Sequence, residues 1–269
     1  MQSNLKSLFQ IQSILQRAGY PDYKRVSLEV EDYLSNNKTI IKDIKIRLEN
    51  GEPWEYIKGC TQFCNNNFKV NKDTLIPRIE TEQIVREAIS ILEEDKYIRN
   101  ILDVGTGTGC IPISIDKELP NNTYSLIATD ISKEALSIAK ENEKQILNIC
   151  KIQWINTDLI DGIELNTSTL ITANLPYIPS KQYEKLDKSV KAFEPRIALE
   201  GGQKGYEIYE RFFNQINDKK VNIRYLILET ESCIFSKTVL LAKKYFKDIK
   251  IETQKDLYDR NRFLLISFS

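Results

Sequence analysis

Gly105, Gly107 and Gly109 stand at alternate positions between an apolar run, Ile101 to Val104, and a segment with helical spacing over 109–117. Glycines placed this way let the chain turn sharply out of a buried strand and into a helix, and they let backbone approach a ligand closely. A strand, a glycine loop and a helix in that order constrain the fold more than any other feature. The pattern continues after it. Strands are expected over 124–129, 152–155, 170–173 and 223–228, helices over 132–146, 206–216 and 236–245, and closing strands over 249–251 and 263–268. Alternation of this kind predicts a doubly wound α/β sheet.

The loop departs from the dinucleotide fingerprint G-x-G-x-x-G. Its third glycine comes one residue early, and Cys110 occupies the last position of the fingerprint. Asp103 precedes the first glycine by two residues, an acid better suited to a ligand with an ammonium group than to a pyrophosphate. Asp130 ends the next strand, 25 residues after Gly105, where an acid can bind ribose hydroxyls. A tight turn without a ligand is the alternative reading of the loop alone.

Asn174-Leu175-Pro176-Tyr177 follows the apolar run 170–173. Ligands of open α/β sheets sit outside the carboxyl ends of the strands, which is where Asn174 falls. Its side-chain carbonyl can accept a hydrogen bond from an –NH2 group, and the Leu175 backbone carbonyl can accept a second. Pro176 restricts Leu175 to extended conformations and so aims that carbonyl. Tyr177 offers a flat face to a planar amide or base. An amide nitrogen is a poor nucleophile because its lone pair is delocalised. Two acceptors on its hydrogens return electron density to it and hold it in line. With the glycine loop, this predicts a site that binds S-adenosylmethionine and methylates a planar –NH2 group. A simple Asn-Pro turn capping the strand is the alternative.

Composition agrees with that chemistry. The chain has no histidine, which removes Ser-His-Asp triads, histidine-based zinc sites and imidazole acid/base catalysis. Five cysteines without a C-x-x-C read as free thiols, so no metal site is expected. Lys plus Arg (38) balance Asp plus Glu (38), which weighs against nucleic acid as a partner. No apolar run approaches the ~20 residues that cross a bilayer, and the N-terminus lacks a signal-peptide pattern, so a cytoplasmic protein is expected.

The first 58 residues have helical spacing. Leu5, Leu8, Phe9, Ile11, Ile14 and Leu15 are expected on one face of a first helix; 26–34 and 40–48 form a second and third, the last ended by Asn50-Gly51. Residues 59–78 read as a hairpin linker, and 81–92 as a helix.

Four further segments give the chain a family resemblance. They are Gly51-Glu52-Pro53-Trp54-Glu55-Tyr56-Ile57-Lys58-Gly59, the segment from Thr74 through Leu75-Ile76-Pro77-Arg78-Ile79-Glu80-Thr81-Glu82, the cofactor loop 101–110, and Glu194-Pro195-Arg196-Ile197-Ala198-Leu199 with Gly201, Gly202 and Gly205. In this order, and with Glu229 at a strand end, the chain resembles the HemK/PrmC family of protein-(glutamine-N5) methyltransferases over nearly its whole length. The resemblance implies a class I S-adenosylmethionine-dependent, Rossmann-like domain over 79–269. A helical N-terminal domain with hairpin linker over 1–78 would help dock the substrate. It implies methylation of the glutamine in the Gly-Gly-Gln motif of class-1 peptide chain release factors. Gly105, Thr106, Gly107, Thr108 and Gly109 would wrap the cofactor, Asp130 would hold its ribose, Leu159 would contact its adenine and Asn174 would adjoin it. Asn174, Leu175, Pro176 and Tyr177 would form the catalytic loop. Pro77 and Arg78 are open between approach to the cofactor and support of the linker.

Two departures matter. Leu175 stands where the family usually has proline, which gives the Asn-Leu-Pro-Tyr form of dimethyladenosine rRNA methyltransferases. Those enzymes carry the glycine loop near their N-terminus and lack the 75–82 segment. Asp259 in the tail Asp256-Leu257-Tyr258-Asp259-Arg260-Asn261-Arg262 replaces a common glycine, and this tail reads as a structural loop. The alternatives are an adenine-N6 methyltransferase acting on RNA or DNA, and a release-factor-binding module weakened in catalysis by Leu175. The chain's own Gly201-Gly202-Gln203 reads as a turn.

Overall fold

The computed structural model describes residues 2–20, 22–36, 41–120, 123–164, 166–219 and 222–268. The chain opens with helices α1 (Gln2–Arg17), α2 (Tyr23–Asn36), α3 (Ile41–Glu49) and α4 (Trp54–Lys58). Ile11, Leu15, Val26, Val30, Ile44, Leu48 and Trp54 pack together as their core. Phe9, expected on the inward face of α1, is 65% exposed. It lies about 200° around the helix from Ile11, and the i, i+3, i+4 stripe through Ile11, Ile14 and Leu15 excludes it. Ile40, the expected start of the third helix, lies outside the described residues. The short α4 falls within the 58 residues of helical spacing but outside the three helices expected there.

Strands β1 (Cys60–Phe63) and β2 (Asn66–Lys69) form the expected hairpin. Its two-residue loop, Cys64 and Asn65, has positive φ at both positions, which matches the right-handed twist of the strands. Phe63 and Phe68 meet edge to face and are buried with α5 (Glu82–Glu94) and α6 (Cys110–Glu118) in the core beneath the large sheet.

The remaining elements in chain order are β3 (Asn100–Val104), β4 (Ser125–Asp130), α7 (Lys133–Leu147), β5 (Gln153–Asn156), β6 (Thr169–Asn174), β7 (Ile178–Pro179), α8 (Ser180–Tyr183), α9 (Lys188–Phe193), β8 (Glu200–Gly202), α10 (Glu207–Lys219), β9 (Ile223–Glu229), α11 (Ser232–Tyr245), β10 (Ile249–Lys255) and β11 (Asn261–Phe268). Among the described residues, seven strands form one sheet in the order β10-β11-β9-β6-β3-β4-β5. β9, β6, β3, β4 and β5 are parallel, and β11 and β10 add an antiparallel edge. Alternate strand residues face opposite layers. Leu102, Ile171 and Leu226 pack with Tyr209, Phe212 and Phe213 of α10, while Ile101, Leu170 and Ile227 pack with α5 and α6. The doubly wound expectation is borne out. Among the described residues, no helix is long and apolar enough to cross a membrane.

The chain leaves β3 for β4 on one side and later returns to place β6 on the other. β3 and β6 are therefore neighbours with opposite onward connections, with Val104 opposite Ala173. That switch point opens a crevice at their carboxyl ends. Gly105 and Asn174 are the next residue and the last residue of those two strands.

Candidate active site

The glycine loop is held by its neighbour strand. The Gly105 and Thr106 N–H groups both donate to the Thr129 carbonyl at 2.9 Å, and the Gly107 N–H donates to Asp130 Oδ2 at 2.8 Å. Asp130 Oδ1 accepts from the Ser132 N–H at 2.9 Å, and Ser132 caps α7. Burial raises the Asp130 carboxyl, against the opposing pull of these N–H donors. Gly109 has a left-handed φ of 76°, and a Cβ there would come within 2.7 Å of the Trp154 ring. Its glycine therefore serves packing as well as the turn.

Gly105, Gly107, Asp130, Leu159, Asn174, Leu175 and Pro176 line one cleft of about 220 Å³. Ile131, Ala135 and Ile208 add apolar wall, and Pro195, Ile197 and Ala198 reach it from the loop before β8. Thr106 and Thr108 are buried behind the loop and do not line the cleft, and neither does Gly109. Leu159 adopts a left-handed φ of 56° and is almost buried. Asp103 is fully buried and does not line this cleft. Its Oδ1 accepts from the Thr172 hydroxyl at 2.7 Å, and its Oδ2 has no hydrogen-bond partner among the described residues.

Burial pushes the Asp103 carboxyl up to about 7, while the nearby Thr106 hydroxyl and then the Thr172 hydroxyl act in the opposite direction. An acid raised on folding stabilises the fold while protonated and loses that advantage as pH rises through the folded value. The stability of the wild type relative to Asp103→Asn should therefore decline as pH rises from about 5 to 8, starting above the unfolded Asp value. Paired thermal melts check this, and a difference that is flat with pH contradicts it.

A second cleft, of about 270 Å³, adjoins the first. Tyr177, Leu75, Arg78, Glu80, Ala198, Glu231 and Arg262 line it, and Asn174 lines both. The Tyr177 ring lies beneath Arg262, whose guanidinium carbon is 5.3 Å from the ring centroid and whose Nη2 donates to the Tyr177 hydroxyl at 2.8 Å. One ring face expected to stack on a ligand is thus occupied by the protein's own cation. Arg262 also donates to Glu229 Oε1 (2.8 Å) and Glu231 Oε2 (2.8 Å). Thr81 donates to Glu229 Oε2 at 2.6 Å, and Asn174 Nδ2 donates to Thr81 Oγ1 at 3.1 Å. Burial raises the fully buried Glu229 carboxyl, and Arg262 and Thr81 oppose the shift.

The Leu175 side chain is buried and would touch a Cβ at Gly105. The Leu175 carbonyl lies 3.1 Å from the Tyr209 hydroxyl, which also bonds closely to the Glu229 carbonyl. A hydroxyl has one proton and a carbonyl two lone pairs, so the Leu175 oxygen retains acceptor capacity. Burial in the core and this contact replace part of the rigidity that a proline would bring.

The flanking motifs acquire physical reasons. Arg78 pairs with Glu194 at 2.6 Å, and the Ile76 N–H points at the same carboxylate, which ties the 74–82 segment to the loop before β8. β7 pairs with β8, so Gly201 lies against the backbone of Pro176 and Tyr177. Asn142 of α7 is fully buried. Its Oδ1 accepts from the Lys69 N–H (2.7 Å), and its Nδ2 donates to the carbonyls of Lys69 (3.1 Å) and Thr108 (3.0 Å). It thereby joins the hairpin to the glycine loop. Sequence reading gave no site role to Thr81, Tyr209, Glu231 or Arg262. Their partners lie between 20 and 148 residues away, a separation that no local pattern reveals.

Residues 86–192 match the family model described as methyltransferase small domain. The chain is 34% identical over 230 residues to the release factor glutamine methyltransferase of Flavobacterium psychrophilum, covering 84% of this chain and 79% of the relative. It is 31% identical over 227 residues to that of Lactococcus lactis subsp. lactis, covering 84% and 82%. Among solved structures, the hMettl16 catalytic domain in complex with MAT2A 3'UTR hairpin 1 is similar with a TM-score of 0.57 at 15% identity, over 75% of this chain and 74% of that one. At that identity the likeness concerns the fold alone.

Proposed function

The chain belongs to the release factor glutamine methyltransferase family, and from that premise we propose that it methylates the N5 amide nitrogen of the glutamine in the Gly-Gly-Gln motif of class-1 peptide chain release factors. The observation that carries this reading is Asn174, the polar side chain shared by two adjoining clefts. One cleft fits S-adenosylmethionine. Gly105 and Gly107 present bare backbone, Asp130 keeps lone pairs for ribose hydroxyls, and Ile131, Leu159 and Ile208 give apolar walls for a purine. When bound there, S-adenosylmethionine supplies a sulfonium-activated methyl group.

The other cleft takes the glutamine side chain. Asn174 Oδ1 accepts one amide hydrogen, and the free lone pair of the Leu175 carbonyl accepts the other. Electron density returned through those bonds makes the nitrogen nucleophilic, and the two contacts hold it towards the first cleft. The amide proton is shed to water after transfer, so no histidine is needed. Tyr177, pinned by Arg262, forms the wall along the glutamine chain. Residues 1–78 dock the body of the release factor, and the reaction takes place in the cytoplasm with the translation machinery. Adenine-N6 transfer and a weakened binding module are both less favoured, because the similar proteins from Flavobacterium psychrophilum and Lactococcus lactis carry the glutamine methyltransferase name.

The test offers methyl-labelled S-adenosylmethionine with an unmodified release factor, with the same factor carrying Gln→Ala in its Gly-Gly-Gln motif, and with RNA. Label on the first alone is expected. Label on RNA only, or on nothing, defeats the proposal.

A further inference from the structure

We propose that Thr81 and Glu229 set the orientation of the Asn174 carboxamide, turning its Oδ1 to the acceptor cleft, and are thus positioning residues for methyl transfer. The inference rests on the glutamine-amide reading above. A carboxamide turned by 180° about its last torsion occupies almost the same volume. The wrong orientation would set N–H groups against the N–H groups of the substrate. Something must therefore hold one orientation, and sterics do not.

Hydrogen-bond polarity does. Arg262 can only donate, and it directs Nε (3.2 Å) and Nη2 (2.8 Å) at Glu229 Oε1. The ionised carboxylate can only accept, so the 2.6 Å contact from its Oε2 to Thr81 uses the single proton of the Thr81 hydroxyl. Thr81 Oγ1 then has only lone pairs left for Asn174, 3.1 Å away, and must receive an N–H. Nδ2 faces Thr81, and Oδ1 is left for the cleft. Asn174 and Glu229 are opposite each other in adjacent strands, and Thr81 closes the turn Ile79–Thr81 before α5. Thr81 and Glu229 are buried, so solvent does not compete for these bonds.

The relay predicts that an isosteric change two bonds away reverses it. In Glu229→Gln, Arg262 still demands the oxygen, which directs the new amide N–H at Thr81. The Thr81 proton then turns to Asn174, which must present Oδ1 to it and its –NH2 to the cleft. Turnover on an unmodified release factor is measured at saturating S-adenosylmethionine, with cofactor affinity taken by calorimetry. On the scale of one or two buried hydrogen bonds, Thr81→Val should lower kcat about three- to tenfold, and Glu229→Gln by about 30-fold. Thr81→Ser should stay within about twofold of wild type, and Thr81→Val/Glu229→Gln should recover to the Thr81→Val level rather than multiply the two losses. Cofactor affinity should be unchanged throughout.

The orientation can also be read without substrate. In protein labelled with 15N-Asn, the Asn174 side-chain –NH2, assigned by its loss in Asn174→Ala, should exchange slowly in wild type and rapidly in Thr81→Val and Glu229→Gln. Wild-type turnover in Glu229→Gln, or losses that multiply in the double variant, overturns the relay. If Glu229→Gln fails to fold, the Thr81 variants decide: Val low with Ser retained supports it, and Val normal or Ser equally low overturns it. If the wild type labels no release factor while the exchange pattern holds, the orientation stands and the glutamine reading falls.

Discussion

Asn174→Ala should lower methyl transfer to a release factor by about 10²- to 10³-fold in kcat, the usual loss when one preorganised polar contact to a reacting group is removed. The side chain lies at the junction of the two clefts, and its Oδ1 is the acceptor in the proposed amide chemistry. The cleft proposed for the cofactor keeps Gly105, Gly107 and Asp130, so S-adenosylmethionine affinity should change by no more than a few-fold. Turnover by label transfer and affinity by calorimetry separate the two effects. Near-normal turnover would remove Asn174 from the mechanism.

Gly201→Ala is expected to produce the second large effect, although residue 201 contacts neither cleft. A Cβ there would sit 2.4 Å from the Gly205 carbonyl oxygen, 2.6 Å from that of Pro176 and 2.8 Å from the Tyr177 Cα. All three obstacles are backbone, so no side-chain rotation relieves them. Relief requires β8 and the Asn-Leu-Pro-Tyr loop to part. Overpacking of this kind costs about 1–3 kcal/mol, and the upper end applies where backbone must move. That corresponds to a fall in Tm of about 5–10 °C for a chain of this size. Turnover should drop more than tenfold, because displacement of the loop misaligns both amide acceptors. Gln203→Ala, on the exposed turn beside it, should leave both quantities unchanged. A Gly201→Ala protein with wild-type melting and turnover would show that the two segments are not held together as described.

How much of this was legible in the sequence depended on distance along the chain. The glycine loop, the Asp130 strand end and the Asn174 turn are local patterns, and each emerged at the carboxyl end of its strand, because alternation and glycine placement are local properties. The placement of Thr106, Thr108 and Gly109 behind the cleft was not legible. Adjacent residues of a tight loop face opposite ways, and only the packing of Trp154 on Gly109 decides which. Phe9 misled for a similar reason, since a short apolar cluster does not say which members share a helical face. The stacking face assigned to Tyr177 failed to foresee Arg262, 85 residues later, because that contact depends on β11 lying antiparallel beside β9. The Glu194-Pro195-Arg196 and Gly201-Gly202 patterns were visible as motifs. Their cause, contact with residues 76–78 and 176–177, was not.

Asn142 bears on how this protein can be dissected. Cutting the chain at residue 79 to isolate the methyltransferase half would remove Lys69, and with it two of the three hydrogen bonds of a fully buried carboxamide. It would also withdraw Phe63 and Phe68 from the core that they share with α5 and α6. A shortened chain would begin with a hole in its core and a loosened glycine loop. The smallest independently stable piece must therefore begin before Cys60, and a truncation starting at 79 would report on damage to the fold rather than on the work of the N-terminal helices.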